Sequence, residues 1–180
     1  MNVNIHWTVQ PSGKLSADVR AVRNMEFREL PRFGLRLFLP EEMAQVTYSG
    51  IGPMESYSDK HHAGWHDVFS ATVAQLHEDY IRPQENGSHW DCDYVTVAGG
   101  GKKLTVTAQK NFSFNASCYT QEELTDKAHN YELAECGSTV LCLDGYMAGI
   151  GSNSCGPILS EKYQVCDEEL TFTMDLNFEA

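Results

Sequence analysis

Two glutamates in predicted loops are the carboxylates of this sequence best placed for acid–base chemistry. Glu55 lies in residues 50–60 and Glu85 in residues 82–87, and both segments are rich in glycine, proline and polar residues. A retaining glycosidase needs two carboxyl groups about 5 Å apart, one as nucleophile and one as acid/base. Loops of this composition also use carboxylates to accept hydrogen bonds from their own backbone. We expect that structural role for both residues, so neither is predicted to be catalytic.

Histidine and tryptophan form a second group of candidates. Histidines cluster in residues 61–66 beside a tryptophan, and His89 directly precedes Trp90. Neither place has the regular ligand spacing of a zinc site, so no metal is predicted. Aromatic rings pack well against the C–H faces of sugars. Surface or loop-fixing roles are favoured for the histidines, and aromatic residues on alternating strands more often belong to the core or the sheet surface. His89 and Trp90, together with Glu55 and Glu85, are kept as candidate carbohydrate contacts.

A third segment, residues 143–157, runs from an apolar strand into a loop of small residues and ends at a proline. Loops at strand ends are where a rigid scaffold places binding residues. A nucleophilic cysteine needs a lowered pKa, usually from a neighbouring histidine or a helix N-terminus. No histidine lies near Cys155 in the sequence, so thiol catalysis is not predicted. The segment is interpreted as a loop tip at a cleft.

The elements that must position these loops are predicted to be β-strands. Apolar and polar residues alternate in residues 3–9, 15–21 and 170–178. This period favours antiparallel strands with one face on a core, and Trp7 is predicted to lie in that core. Shorter strands are expected at residues 35–39, 94–97, 104–107 and 139–143.

One segment departs from the strand pattern. Thr120 and Glu123 have the spacing of a capping box, and apolar residues then follow at helical spacing. A short helix is therefore predicted from about residue 121 to residue 133. The sequence has no internal repeat, low-complexity tract or linker, so residues 1–180 are predicted to form one all-β domain with a single helix.

Composition excludes several classes of partner. The chain has 25 acidic and 13 basic residues, which gives a formal charge of −12. Nucleic acid and anionic membranes require basic residues to neutralise phosphates, so neither is expected as a partner. No apolar run is long enough to span a bilayer. The first seven residues lack the pattern of a signal peptide, which assigns no compartment if the chain is a piece of a longer one.

Five segments, taken in this order, resemble the C-terminal β-sandwich domain of the large β-galactosidases of glycoside hydrolase family 2. In some members this region forms a separate small subunit. The segments are LPRFGL at residues 30–35, GIGPMESYSDK at 50–60, the stretch ending in RPQENG at 80–87, FSFNAS at 112–117 and LDGYMAGIGSNSCGP at 143–157.

The resemblance implies an antiparallel supersandwich similar to galactose mutarotase, packed beside a catalytic barrel that carries both catalytic glutamates. One loop of this domain reaches the sugar site. Many members have a tryptophan where this sequence has Cys155, so the resemblance implies that a smaller contact, or a role shared with another loop, replaces stacking on the sugar here. The residues of that substrate-cleft loop are Ser152, Asn153, Ser154 and Cys155.

The implied function is that of one part of a β-galactosidase, which hydrolyses terminal β-galactosides such as lactose with retention. The implied partner is the catalytic barrel domain or large subunit, no cofactor is expected in this chain, and the isolated chain is expected to be inactive. The family's domain begins before Met1, so the first strands are expected to be missing. Exposed sheet edges would then favour a homodimer.

Two alternatives from other functional classes stay open. Loop aromatics such as Trp65 and Trp90 suit an independent carbohydrate-binding β-sandwich, which would bind sugar as an isolated chain. A mutarotase-like epimerase would need a histidine and a carboxylate facing each other across a cleft. The pairs to consider are His129 or His89 with Glu55 or Glu85.

Overall fold

The computed structural model describes residues 1–151 and 156–179, and these form an antiparallel all-β domain. The predicted fold class is therefore confirmed, and every strand predicted from the alternating pattern is present. The strands are Asn2–Val9 (β1), Leu15–Val22 (β2), Arg32–Pro40 (β3), Gln45–Gly52 (β4), Trp65–Thr72 (β5), Ser88–Gly99 (β6), Lys102–Ser117 (β7), Ser138–Met147 (β8) and Glu169–Glu179 (β9).

The sheet branches at its longest strand, β7. Seven strands follow the order β1-β2-β9-β7-β6-β4-β5. Residues 103–108 of β7 pair with β9, whereas residues 113–117 pair with β8. Strand β3 then extends this second arm by pairing with β8 along its length. The loops that precede β6 and follow β8 are thereby brought to the same part of the molecule as the second half of β7.

Both arms of the branched sheet contribute to one apolar core. Alternate residues of each strand point to the same face, and the inward-facing residues of β4, β6, β7, β8 and β9 belong to one buried cluster. Full burial of a large apolar side chain contributes about 1.5–3 kcal/mol to stability. The largest fully buried members include Tyr48, Leu104, Phe114, Leu143 and Met174.

The prediction that Trp7 lies in the core is wrong. All eight residues of β1 are exposed, and Trp7 retains 47% of its accessible surface. Among the described strands, β1 pairs with β2 alone and stands at the edge of the sheet order. Alternation identifies an amphipathic strand correctly, but burial also requires a layer that covers the apolar face. In the described part of the chain that cover extends over Ala17 and Val19 of β2 and not over Trp7.

The predicted helix is present but shorter than expected. Helix α1 spans Gln121–Asp126, and Asn130–Glu132 form a separate 3-10 turn. The Glu132 carboxylate accepts hydrogen bonds from the backbone N–H groups of Ala128 and His129, at 3.0 and 2.9 Å. Those two amides are therefore engaged outside a helical ladder, and the helix ends before them. Within the described residues, no helix combines the length and hydropathy needed to cross a membrane.

Candidate functional site

Glu55 is a buried carboxylate that ties two loop segments together, residues 50–60 and 80–87. Its residue surface is only 6% exposed. Oε1 accepts hydrogen bonds from the Lys60 ammonium and the Tyr80 hydroxyl, and Oε2 accepts one from the Gly87 backbone N–H at 2.8 Å. Gly87 has a φ of 70°, and a Cβ there would lie 2.4 Å from the carbonyl oxygen of Leu76. Only glycine allows this close approach, so the hydrogen bond from the residue 87 amide to Glu55 depends on a glycine at that position.

The two side chains that donate to Glu55 hold their protons at neutral pH. Burial lowers the pKa of Lys60, but its hydrogen bonds to Glu55 and Tyr80 outweigh burial and the pKa is raised. Burial, assisted by the hydrogen bond to Glu55, raises the pKa of Tyr80. The carboxylate is therefore compensated by one ammonium and one neutral phenol.

A second carboxylate site is built around Arg32 at the start of β3. Its guanidinium makes a bidentate contact with Asp144, with Nε 3.1 Å from Oδ1 and Nη2 2.5 Å from Oδ2. Nη1 donates to Glu85 Oε2 at 2.8 Å. The Asp144 side chain is 2% exposed, and the Arg32 and Glu85 side chains are mostly buried. One cation thus joins β8 to the loop before β6.

Burial dominates the protonation of this triad. It raises the pKa of Glu85 to about 7, while Arg32 opposes the rise and the neighbouring carboxylates add to it. Burial also raises the pKa of Asp144, again against the pull of Arg32. Burial alone would lower the pKa of Arg32, but the attraction of Asp144 and Glu85 outweighs burial and the pKa is raised. The guanidinium therefore stays charged, whereas the pKa of Glu85 lies near neutrality because its side chain is buried.

The two glutamates differ from the sequence prediction in their partners. The prediction places each in hydrogen bonds within its own loop, but Glu55 accepts the amide of Gly87 and Glu85 accepts a guanidinium. Arg32 lies 53 positions from Glu85 and 112 from Asp144. Local composition carries no signal for partners at such separations. Arg32 and Asp144 are accordingly the site residues that sequence reasoning missed.

His89 lies in the core and Trp90 at its margin. His89 is 1% exposed, and its ring centroid lies 4.4 Å from that of Tyr48 and 5.1 Å from that of Phe114. Burial lowers the pKa of His89 to about 4, so the imidazole is neutral at neutral pH. Trp90 is half-buried, with its ring 4.6 Å from the ring of His61. The structure thus separates the two neighbours, one inside and one towards the loops.

The described stem of the predicted cleft loop is held by Asp59. Asp59 Oδ1 accepts the N–H of Ile150 and Oδ2 accepts the N–H of Gly151, both at 2.9 Å. A Cβ at Gly149 would lie 2.5 Å from Asp59 Cγ, so this contact also depends on a glycine. Two of the segments picked out in the sequence therefore meet at Asp59. The predicted cleft residues Ser152, Asn153, Ser154 and Cys155 lie outside the described residues.

An open cleft of about 480 Å³ borders Glu55 and Asp59. A larger groove of about 690 Å³ runs along β1, β2 and β9, but none of the candidate residues above lines it. The smaller cleft is therefore the better candidate for polar chemistry. In the described part of the chain, no three His, Cys, Asp or Glu side chains are arranged to hold a metal ion. The polar residues that line the smaller cleft include Glu55, Asp59, Lys60, His61, His62 and Tyr80.

The fold places this chain in the class of antiparallel all-β domains, with charged clusters in its loops. Comparison with known proteins identifies the family. A family model described as the β-galactosidase small chain matches residues 1–176. The β-galactosidase of Actinobacillus pleuropneumoniae is 45% identical over 99% of this chain, and that of Staphylococcus xylosus is 42% identical over 97%. The β-galactosidase of Lactococcus lactis is 34% identical over 84%. The chain belongs to the β-galactosidase small chain family.

The matches cover only a small part of each relative. The chain spans 17% of the Actinobacillus protein, 18% of the Staphylococcus protein and 15% of the Lactococcus protein. It therefore corresponds to a small piece of each of these relatives.

Proposed function

We propose that this chain is the C-terminal part of a β-galactosidase that hydrolyses terminal β-galactosides such as lactose. The observation that carries the proposal is the set of curated relatives named β-galactosidase, at up to 45% identity over nearly the whole chain. In this proposal the chain stabilises the enzyme, contacts the catalytic barrel domain or large subunit, and supplies one loop of the substrate cleft. That loop consists of Ser152, Asn153, Ser154 and Cys155.

The proposal assigns the catalytic glutamates to another part of the enzyme. Retention requires one carboxylate free to attack the sugar and a second free to exchange a proton with the leaving oxygen. Glu55 is buried, and its two oxygens already accept hydrogen bonds from Lys60, Tyr80 and Gly87. Glu85 is engaged with Arg32. These contacts favour a structural role for both glutamates.

The epimerase alternative finds little support in the geometry. It requires a histidine that faces a carboxylate across a cleft, and His89 is buried between Tyr48 and Phe114. Of the carboxylates considered, Glu55 accepts the Gly87 amide and Glu85 binds a guanidinium. His129 is paired with Glu132 of its own turn, at 3.5 Å. A β-galactosidase part therefore remains the better account of the site.

The isolated chain is proposed to associate with a second copy through β1. The strand stands at the edge of the sheet, and Val3, Ile5, Trp7 and Val9 are between 43% and 69% exposed. His6 is the one titratable side chain of the strand, so no array of like charges opposes pairing. Unpaired, apolar edge strands are templates for pairing with another chain.

The test is hydrolysis of a chromogenic aryl β-galactoside by this chain alone, by a β-galactosidase lacking the matching region, and by their mixture. The proposal predicts activity in the mixture and none with this chain alone. Activity of this chain alone would mean that it contains a complete catalytic site, and the proposal would be wrong. If the two chains associate without activity, the cleft-completing role fails. Micromolar sugar binding by the isolated chain would instead favour an independent carbohydrate-binding module.

A further inference from the structure

We propose that Asp59 is a positioning residue of the enzyme, which holds the stem of the substrate-cleft loop at residues 150–151. The inference rests on the proposed function, because the loop matters only if it borders the sugar. Each oxygen of Asp59 accepts one backbone N–H, from Ile150 and from Gly151, both at 2.9 Å. Two consecutive amides are thereby fixed by one planar group immediately before residue 152.

Asp59 is itself held by a rigid support. Tyr57 and Lys60, which enclose Ser58 and Asp59, exchange two backbone hydrogen bonds of 2.9 Å and so close a tight turn that contains the aspartate. The Tyr57 side chain is fully buried, and the Lys60 ammonium is bound by Glu55. A loop anchored in the core on one side thus presents a carboxylate to the stem on the other.

The preceding stem residues are fixed as well, which makes the clamp effective. The Ala148 N–H donates to the Pro31 carbonyl at 3.0 Å, and the Gly149 N–H donates to the Tyr163 carbonyl at 2.9 Å. Four consecutive backbone amides of the stem therefore have defined acceptors. Asp59 supplies the last two, which come directly before the predicted substrate contacts in the sequence.

A carboxylate is needed at this position because both of its oxygens accept. An asparagine offers one acceptor oxygen, and its NH₂ group would face a backbone N–H as a second donor. Asp59→Asn therefore keeps the size of the side chain but breaks one of the two bonds and repels the stem. Displacement of a substrate-positioning group by about 1 Å costs up to about 10²-fold in rate.

The contact can be disturbed from the other side by Gly149→Ala. The added Cβ would lie 2.5 Å from Asp59 Cγ, so the carboxylate and the stem must move apart. The φ of Gly149 is not in the left-handed region, so alanine is compatible with the local backbone. This second variant perturbs the same clamp without removing the charge of Asp59.

Glu132 provides a matched control. Its Oε2 atom also accepts two consecutive backbone amides, from Ala128 at 3.0 Å and His129 at 2.9 Å. Glu132→Gln therefore makes the same carboxylate-to-amide change in a turn that, within the described part of the chain, has no hydrogen bond to the stem.

The experiment uses the Actinobacillus pleuropneumoniae β-galactosidase with its matching region replaced by this chain, referred to as the chimera. Asp59→Asn and Gly149→Ala should each raise KM for an aryl β-galactoside about tenfold and change kcat by less than about threefold. Glu132→Gln should change neither constant. Thermal unfolding of all three variants checks that the chimera remains folded, since a purely structural role would lower Tm without changing KM.

The outcomes separate this inference from the proposed function. If the unaltered chimera is active but KM is unchanged in both Asp59→Asn and Gly149→Ala, the positioning role is wrong and the proposed function stands. An equal rise of KM in Glu132→Gln would also overturn the positioning role. If the unaltered chimera is inactive, the proposed function itself is overturned.

Discussion

Replacing Arg32 with methionine removes the cation that faces two buried carboxyl groups while keeping most of the side-chain volume. Asp144 is 2% exposed and makes a bidentate contact with Arg32, and Glu85 makes a further bond of 2.8 Å. Removing one partner of a buried ion pair typically costs about 3–5 kcal/mol, because the other charge stays buried without compensation. We expect Arg32→Met to lower the free energy of unfolding by this amount at pH 8.

Arg36 offers a control on the same strand. It also binds a carboxylate, Glu122, at 2.9 Å, but the two side chains are 40% and 67% exposed. Exposed ion pairs contribute only about 0–1 kcal/mol, so Arg36→Met should cost no more than that. The comparison separates burial from charge pairing as such, because both variants remove an arginine from β3.

The assay is urea unfolding of the chain and of both variants at pH 8 and pH 5, with the slope m used to check that the unfolding transition is unchanged. Without the guanidinium, Asp144 and Glu85 are protonated more easily, so the deficit of Arg32→Met should shrink at pH 5. A cost at pH 8 within about 1 kcal/mol of that of Arg36→Met would refute the argument that this network stabilises the fold.

Three further predictions concern buried side chains and the exposed edge strand β1. Because burial raises the pKa of Glu85 from 4.5 to about 7, the folded chain binds its proton more tightly than the unfolded chain. That stabilisation is present below pH 4.5 and is lost as pH rises through 7. From pH 5 to pH 8, the free energy of unfolding of the wild-type chain should therefore fall by about 2–3 kcal/mol relative to that of Glu85→Gln, measured by urea unfolding. Equal pH profiles for the two chains would contradict the prediction. Phe114→Ala removes a fully buried side chain and should cost about 3–5 kcal/mol in free energy of unfolding. Phe38→Ala, at a residue that is 56% exposed, should cost less than about 1 kcal/mol, and similar losses in the two variants would be inconsistent with the core. Trp7→Glu should convert a dimer of the isolated chain to a monomer in analytical ultracentrifugation, and a dimer that persists would exclude β1 as its interface.

Local pattern predicted the strands well because strand formation depends on near neighbours. Alternation in residues 3–9, 15–21 and 170–178 identified β1, β2 and β9. The burial of Trp7 was not predictable in the same way. Whether an apolar face is covered depends on which other strands lie over it, and alternation within one strand carries no information on that.

The site was predicted only in part. The segments that hold Glu55, Glu85 and Asp59 stood out by their glycine, proline and polar content. The partner of each carboxylate depends on the path of the whole chain: Asp59 contacts residues 91 and 92 positions away. Such contacts leave no mark on local composition. The helix was over-extended for a related reason, because Glu132 withdraws two amides that the periodic pattern assigned to the helix.

The most direct test of the central claim is the turnover number of the chimera, compared with that of the same enzyme lacking the region and with the chimera carrying Glu55→Gln. The proposal predicts an active chimera, an inactive deletion, and a Glu55→Gln variant within about tenfold of the chimera, because Glu55 supports loops and does not act on the substrate. Removal of a general acid or base typically costs about 10²–10⁴-fold. A loss of that size in a folded Glu55→Gln variant, or a chimera as inactive as the deletion, would contradict the account.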